Sequence, residues 1–211
     1  MEAVRKGAGA LHGGLFLAAL CVVAVGMPSL SWPWYLLLPL LAYAGIALPL
    51  PALRRTAPRL TVGRLGGAPL ASAAALSIAT SAVLMGFHAL ARPEVAGLAA
   101  RLPLAAFGNL VLAGVCFSAI NAALEEVIFR GVLWGVVADE WNSGVALIVT
   151  AVLFGLGHLQ GYPPGPIGAA LAGLYGLALG ILRWWAGGLG LAMACHVCAD
   201  ATIFGLLLQQ S

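Results

Sequence analysis

Apolar stretches of about 20 residues recur along this chain, separated by short breaks that carry most of its charge and proline. In lipid, every backbone polar group must be satisfied within the structure, so such stretches predict membrane-spanning helices. The pattern predicts spans near 9–27, 34–53, 68–91, 103–137, 144–159 and 167–185, and a last one after Gly188 running to about 208. Met27 to Trp34 reads as a short uncharged turn with Pro28 and Pro33, and Trp32, Trp34 and Tyr35 sit where aromatic rings favour the interface. Gly161, Pro163, Pro164, Gly165 and Pro166 form a loop cluster, and Asp139 to Ser143 a polar turn.

The stretch 103–137 is too long for one straight crossing, since 1.5 Å per residue gives about 50 Å. Pro103 can open a helix there. That helix is expected either to project beyond the bilayer or to break near Ser118 to Asn121. In the following span Ala172, Gly176 and Gly180 recur four apart, a stripe that lets helix backbones approach closely.

Composition strengthens this picture. The chain has 211 residues, 62% hydrophobic and 8% charged, and a mean hydropathy of +1.03. A soluble globule with an ordinary polar shell is excluded, and the fold class is all-α, a polytopic transmembrane bundle of about seven spans forming one compact membrane domain. The basic, then apolar, start resembles a signal peptide but is followed by further spans, so it reads as a retained first helix. The net charge of +3 is too small to suggest nucleic acid. Arg54, Arg55, Arg59 and Arg64 mark one cytoplasmic loop, which with Arg5 and Lys6 predicts a cytoplasmic N terminus and an external C terminus. A double crossing within 103–137 would invert everything after it. Cys21, Cys116, Cys195 and Cys198 fall in apolar spans and read as free buried thiols.

The second half breaks its own apolar rule. Glu125 and Glu126 stand side by side, Arg130 follows, and His158, His196 and Asp200 lie in later spans. A charge at membrane depth costs roughly 2.5–3.5 kcal/mol on insertion scales and usually marks function. Glu126 and Arg130, Phe154 and His158, and His196 and Asp200 are each four residues apart, so each pair shares a helix face. Glu126 is placed to pair with Arg130. Glu125 lies about 100° around the helix from it, so one carboxylate can pair with Arg130 while the other stays free, and a free carboxylate could act as a general base on a water shared with a histidine. His196 and Asp200 could donate hydrogen bonds to an oxyanion, which for Asp200 requires a protonated carboxyl. Glu125, His158 and His196 could alternatively hold zinc. The chain lacks the Gly-x-Ser-Gly, HExxH and Gly-x-Gly-Asp signatures of the serine, metallo and aspartyl routes to intramembrane cleavage.

EEVIFR at 125–130, FGLGH at 154–158 and HVCAD at 196–200 resemble, in order and spacing, the three motifs of the CPBP family. These are CaaX-protease and bacteriocin-processing intramembrane endopeptidases, and they include Rce1-type prenyl-protein proteases. The resemblance covers residues 121–204. It implies Glu125 as the base that activates water, His158 sharing that water, Glu126 and Arg130 in support with Phe154, and His196 with Asp200 as the oxyanion wall. No metal is required on this reading. Asp200 stands where Rce1-type relatives carry Asn, which points to a bacterial-type branch that trims peptides or C-terminal sorting signals.

The expected division is 1–102 as N-terminal helices, about three spans, and 103–211 as the catalytic bundle. The expected function is hydrolysis of a peptide bond in a membrane-associated, lipid-modified or C-terminally sorted protein, in a bacterial inner membrane, with the bilayer as the other partner. Two other classes remain open: a non-catalytic peptide-binding or bacteriocin-immunity protein, and a proton-coupled carrier, against which the lack of inverted repeats argues.

Overall fold

A computed structural model describes residues 7–102 and 108–209. In chain order the helices are α1 (Ala8–Gly26), α2 (Trp34–Ala47), α3 (Pro51–Thr56), α4 (Gly67–Ala91), α5 (Ala96–Ala99), α6 (Leu110–Glu126), a π-helical segment (Val127–Leu133), α7 (Trp134–Glu140), α8 (Ser143–Gly157), α9 (Gly165–Ala186) and α10 (Gly190–Leu208). No strand occurs among the described residues. Five helical stretches, counting Leu110–Glu140 as one, are long and apolar enough to cross a membrane, and α2 and α8 are shorter apolar helices. The protein is an integral membrane helix bundle, as its hydropathy predicts.

Of the two alternatives for 103–137 the projecting helix holds, and two other expectations need correction. The polar residues Ser118 and Asn121 do not break the helix, because both side chains are buried against neighbouring helices rather than competing for their own backbone. The chain runs as one helical stretch of 31 residues from Leu110 to Glu140, about 46 Å, and so extends beyond a hydrocarbon core of about 30 Å. Consequently there is no double crossing within the described part of 103–137. Pro103 lies outside the described residues, as do Arg5 and Lys6. The second span stops at Ala47, short of the expected 53, where Pro49 and Pro51 end one helix and open the next. Of the four cysteines, only Cys195 is buried; Cys116 is half-buried, and Cys21 and Cys198 are exposed on outer helix faces.

The two ends of the bundle are defined by loop contacts. The arginine-rich loop pairs its backbone with the turn between α9 and α10: Leu189 N–H donates to the Thr61 carbonyl at 2.8 Å, Gly190 N–H to Val62 at 2.9 Å, and Arg64 N–H to Ala186 at 2.9 Å. This approach requires glycine, since a Cβ on Gly188 would lie 2.3 Å from the Gly63 nitrogen. Arg183, in the last turn of α9, is therefore at the arginine end. The loop joining α1 to α2 lies at the opposite end, and its Trp32 turns inward rather than resting at the interface, while Trp34 and Tyr35 stay exposed.

Within this frame α10 is central. It packs against α4, α6 and α9, and half of its apolar window is enclosed by protein, compared with 11% for α4. His196 and Asp200 lie on the enclosed side of α10, shielded from lipid as polar side chains at this depth must be. The glycine stripe works as its spacing predicts: Ala172, Gly176 and Gly180 are all buried, and α9 lies close along α8. A Cβ on Gly155 of α8 would sit 2.7 Å from the Ala169 carbonyl oxygen.

Candidate active site

The site is assembled by α6, the turn after α8, and α10. Its charged centre is Glu126, fully buried with Arg130 one helical turn later. Glu126 Oε1 accepts from Arg130 Nη1 at 2.7 Å, the pairing expected from the i,i+4 interval. The same oxygen accepts from His196 Nδ1 at 2.8 Å, a contact the spacing does not reveal. Arg130 Nη2 donates to the Gly176 carbonyl at 3.0 Å, and its guanidinium lies 4.4 Å from the Phe154 ring centroid. Gly176 is small enough to admit this, since a Cβ there would lie 3.2 Å from Arg130 Nη2. Arg183 Nε donates to the Arg130 carbonyl at 2.8 Å while its guanidinium covers Trp134. The π-helical segment carrying Arg130 is the kind of irregularity that often accompanies functional sites.

Glu125 has the other role. Its side chain is 12% exposed, and Oε2 has no hydrogen-bond partner. That oxygen faces two imidazoles, at 3.8 Å from His158 Nε2 and 3.6 Å from His196 Nε2. Oε1 instead accepts from Asn121 Nδ2 at 3.2 Å. The two adjacent glutamates are therefore separated as their helical positions require: one is locked in an ion pair, and the other presents an unpaired oxygen.

His158 sits just past the end of α8. That helix has 15 residues, about 22 Å, so the chain turns before crossing a full hydrocarbon core. Irregular backbone at that depth is tolerated only where protein or a cavity surrounds it. Tyr162 and Pro163 in this turn are indeed buried. His158 Nδ1 is 2.8 Å from the Phe154 carbonyl oxygen, and because a carbonyl only accepts, the proton is assigned to Nδ1. In the neutral ring Nε2 then carries a lone pair toward Glu125. The Phe154 ring, expected in a supporting role, lies tilted 4.3 Å from His158 and stands edge-on to His196 at 5.6 Å.

Asp200 is one turn beyond His196, with Oδ1 at 3.8 Å from His196 Nε2. Its Oδ2 accepts from Asn121 Nδ2 at 3.2 Å. All four residues named from the sequence as catalytic, Glu125, His158, His196 and Asp200, thus converge, together with Glu126, Arg130 and Phe154. Asn121, whose amide touches both Glu125 and Asp200, was not singled out; its i,i+4 interval to Glu125 was the available signal. Among the described residues, no group of three or more His, Cys, Asp or Glu side chains is arranged to hold a metal ion.

A cavity of about 310 Å³ opens beside the cluster, bounded by α4, α8, α9 and α10. It is lined by His158, His196 and Asp200 together with apolar side chains such as Leu76, Val83 and Ile203. Tyr175, also on the lining, has a buried hydroxyl without a hydrogen-bond partner.

The fold and site together define a polytopic membrane bundle with carboxylates and imidazoles gathered around an unpaired carboxylate oxygen. Residues 105–202 match the family described as type II CAAX prenyl endopeptidase, Rce1-like, a stretch that contains all three motifs. Over these residues the chain is similar to that family. The family is one of proteases, and the match supports a hydrolase. No curated protein and no solved structure gives a significant match.

Proposed function

We propose that this protein is an intramembrane endopeptidase that hydrolyses a peptide bond near the lipid-modified or C-terminally sorted end of a membrane-associated protein. On this reading residues 103–211 form the catalytic bundle, supported by residues 1–102, in a bacterial inner membrane. The observation that carries the proposal is the unpartnered Oε2 of Glu125 facing His158 Nε2 at 3.8 Å. That separation is too long for a direct hydrogen bond, and a water about 2.8 Å from each atom bridges them off the line. Both atoms are acceptors, so they take both hydrogens of the water and leave its lone pairs directed away, toward a scissile carbonyl.

In the reaction, the water oxygen bonds to the carbonyl carbon as its proton passes to Glu125 Oε2, and the carbonyl π electrons move onto the oxygen. His196 Nε2 and Asp200 are the donors for that oxyanion. For His196 this requires both ring protons, with Glu126 as counter-charge at Nδ1. For Asp200 it requires a protonated carboxyl. Glu125 then returns its proton to the leaving nitrogen as the C–N bond breaks. No step passes through a metal. The apolar cavity beside His158 and Asp200 supports a substrate whose end is hydrophobic.

The test uses the purified full chain in detergent with two internally quenched peptides, one ending in a prenylated CAAX sequence and one identical but unprenylated. Cleavage of either by the wild type, and of neither by Glu125→Gln, is the expected result. A wild type that cuts neither peptide, or a Glu125→Gln variant that cuts as fast as wild type, overturns the proposal.

A further inference from the structure

Trp32 lies far outside the stretch that matches the protease family, on the loop between α1 and α2. Its indole Nε1–H donates to Asn121 at 3.1 Å. An indole N–H has no acceptor capacity, so the Asn121 atom facing it must be Oδ1. This fixes the amide orientation and turns Nδ2 toward the carboxylates. The two Nδ2 hydrogens are then directed at two acceptors, Glu125 Oε1 and Asp200 Oδ2, each at 3.2 Å. The indole is itself held against α6, its ring 5.1 Å from Phe117, which in turn packs 6.0 Å from Phe204 of α10.

We propose that Trp32 and Asn121 are positioning residues of the active site. Trp32 sets the amide of Asn121, and Asn121 holds one oxygen of Glu125 and one of Asp200, so that Glu125 Oε2 and Asp200 Oδ1 are the atoms left facing the imidazoles. Without this bridge, either oxygen of Glu125 could rotate toward the histidines, and Asp200 would lose its link to α6. The N-terminal helices thereby contribute to the chemistry as well as to the bundle. The inference rests on Glu125 acting as the base, and adds the groups that orient it.

Two measurements on the full chain separate the inference from that reaction. In protein labelled with ¹⁵N at the indole nitrogens, the Trp32 Nε1–H resonance is identified by its loss in Trp32→Phe. Asn121→Leu is expected to move that resonance upfield; an unmoved resonance overturns the inference, whatever the protein cleaves. On the quenched peptides, Trp32→Phe keeps the ring against Phe117 but removes the donor. It is expected to lower kcat about tenfold with KM within about twofold, the loss of one partly buried hydrogen bond expressed in the transition state. Asn121→Leu should lower kcat further. Wild-type kcat in Trp32→Phe, or a fall that tracks the loss of folded protein and not kcat per folded molecule, overturns it. A wild type that cuts neither peptide defeats the proposed reaction alone, and the indole resonance still decides whether Trp32 sets Asn121.

Discussion

His196 Nδ1 donates to Glu126 Oε1 across 2.8 Å, joining α10 to α6 over 70 residues of sequence. Glu126 therefore does more than pair with Arg130. By occupying Nδ1 it turns the other ring nitrogen of His196 toward Glu125, so the structural glutamate aims the histidine at the proposed catalytic one.

The two adjacent glutamates should consequently fail in different ways. Glu126→Ala leaves Arg130, which is fully buried, without its carboxylate and is expected to destabilise the bundle by about 3–5 kcal/mol. Glu125→Gln removes no ion pair closer than 3.6 Å and is expected to change stability by less than about 1 kcal/mol while abolishing cleavage. Thermal unfolding in detergent, read beside peptide cleavage, checks both. Equal stability losses in the two variants would contradict the division of labour.

His158→Ala should reduce kcat by about 10²–10⁴, the range associated with general acid-base groups, in a bundle that stays folded. Single-turnover cleavage of the quenched peptides measures this. Activity within a few-fold of wild type would remove His158 from the mechanism.

Gly176→Ala tests the close approach of α9 to the site. Its Cβ would meet Phe154 Cδ1 at 3.1 Å and Arg130 Nη2 at 3.2 Å, so both neighbours must shift. A loss of about 1–3 kcal/mol is expected, with reduced cleavage because Phe154 packs on His158. Unchanged unfolding and activity would show that the stripe tolerates a larger side chain.

On the proposed mechanism, a strong chelator such as 1,10-phenanthroline should leave the cleavage rate unchanged after prolonged incubation. Loss of activity that returns on adding zinc would instead assign Glu125, His158 and His196 a shared metal. The readout is initial rate on the same peptides.

Much of this site is legible in the sequence because charge is so costly in lipid that Glu125, Glu126, Arg130 and Asp200 stand out, and because intervals of four put each motif on one helix face. What spacing within a helix encodes, such as the Glu126–Arg130 pair, is therefore readable. What depends on packing between helices is not. Nothing local links Trp32 to Asn121 across 89 residues, or Glu126 to His196. The length of 103–137 leaves a projecting helix and a break near Ser118 to Asn121 equally open, and it is the burial of both side chains against neighbouring helices that keeps the helix continuous. The early end of α2 follows from Pro49 and Pro51, a signal that hydropathy alone overrides.

The most direct measurement compares the termini of membrane peptides, by mass spectrometry, in cells expressing the wild type and cells expressing Glu125→Gln at equal levels. The account predicts a set of cleaved termini present with the wild type and missing with Glu125→Gln. Identical sets of termini, together with an unchanged cellular phenotype, would contradict it and favour a protein that binds peptides without cutting them.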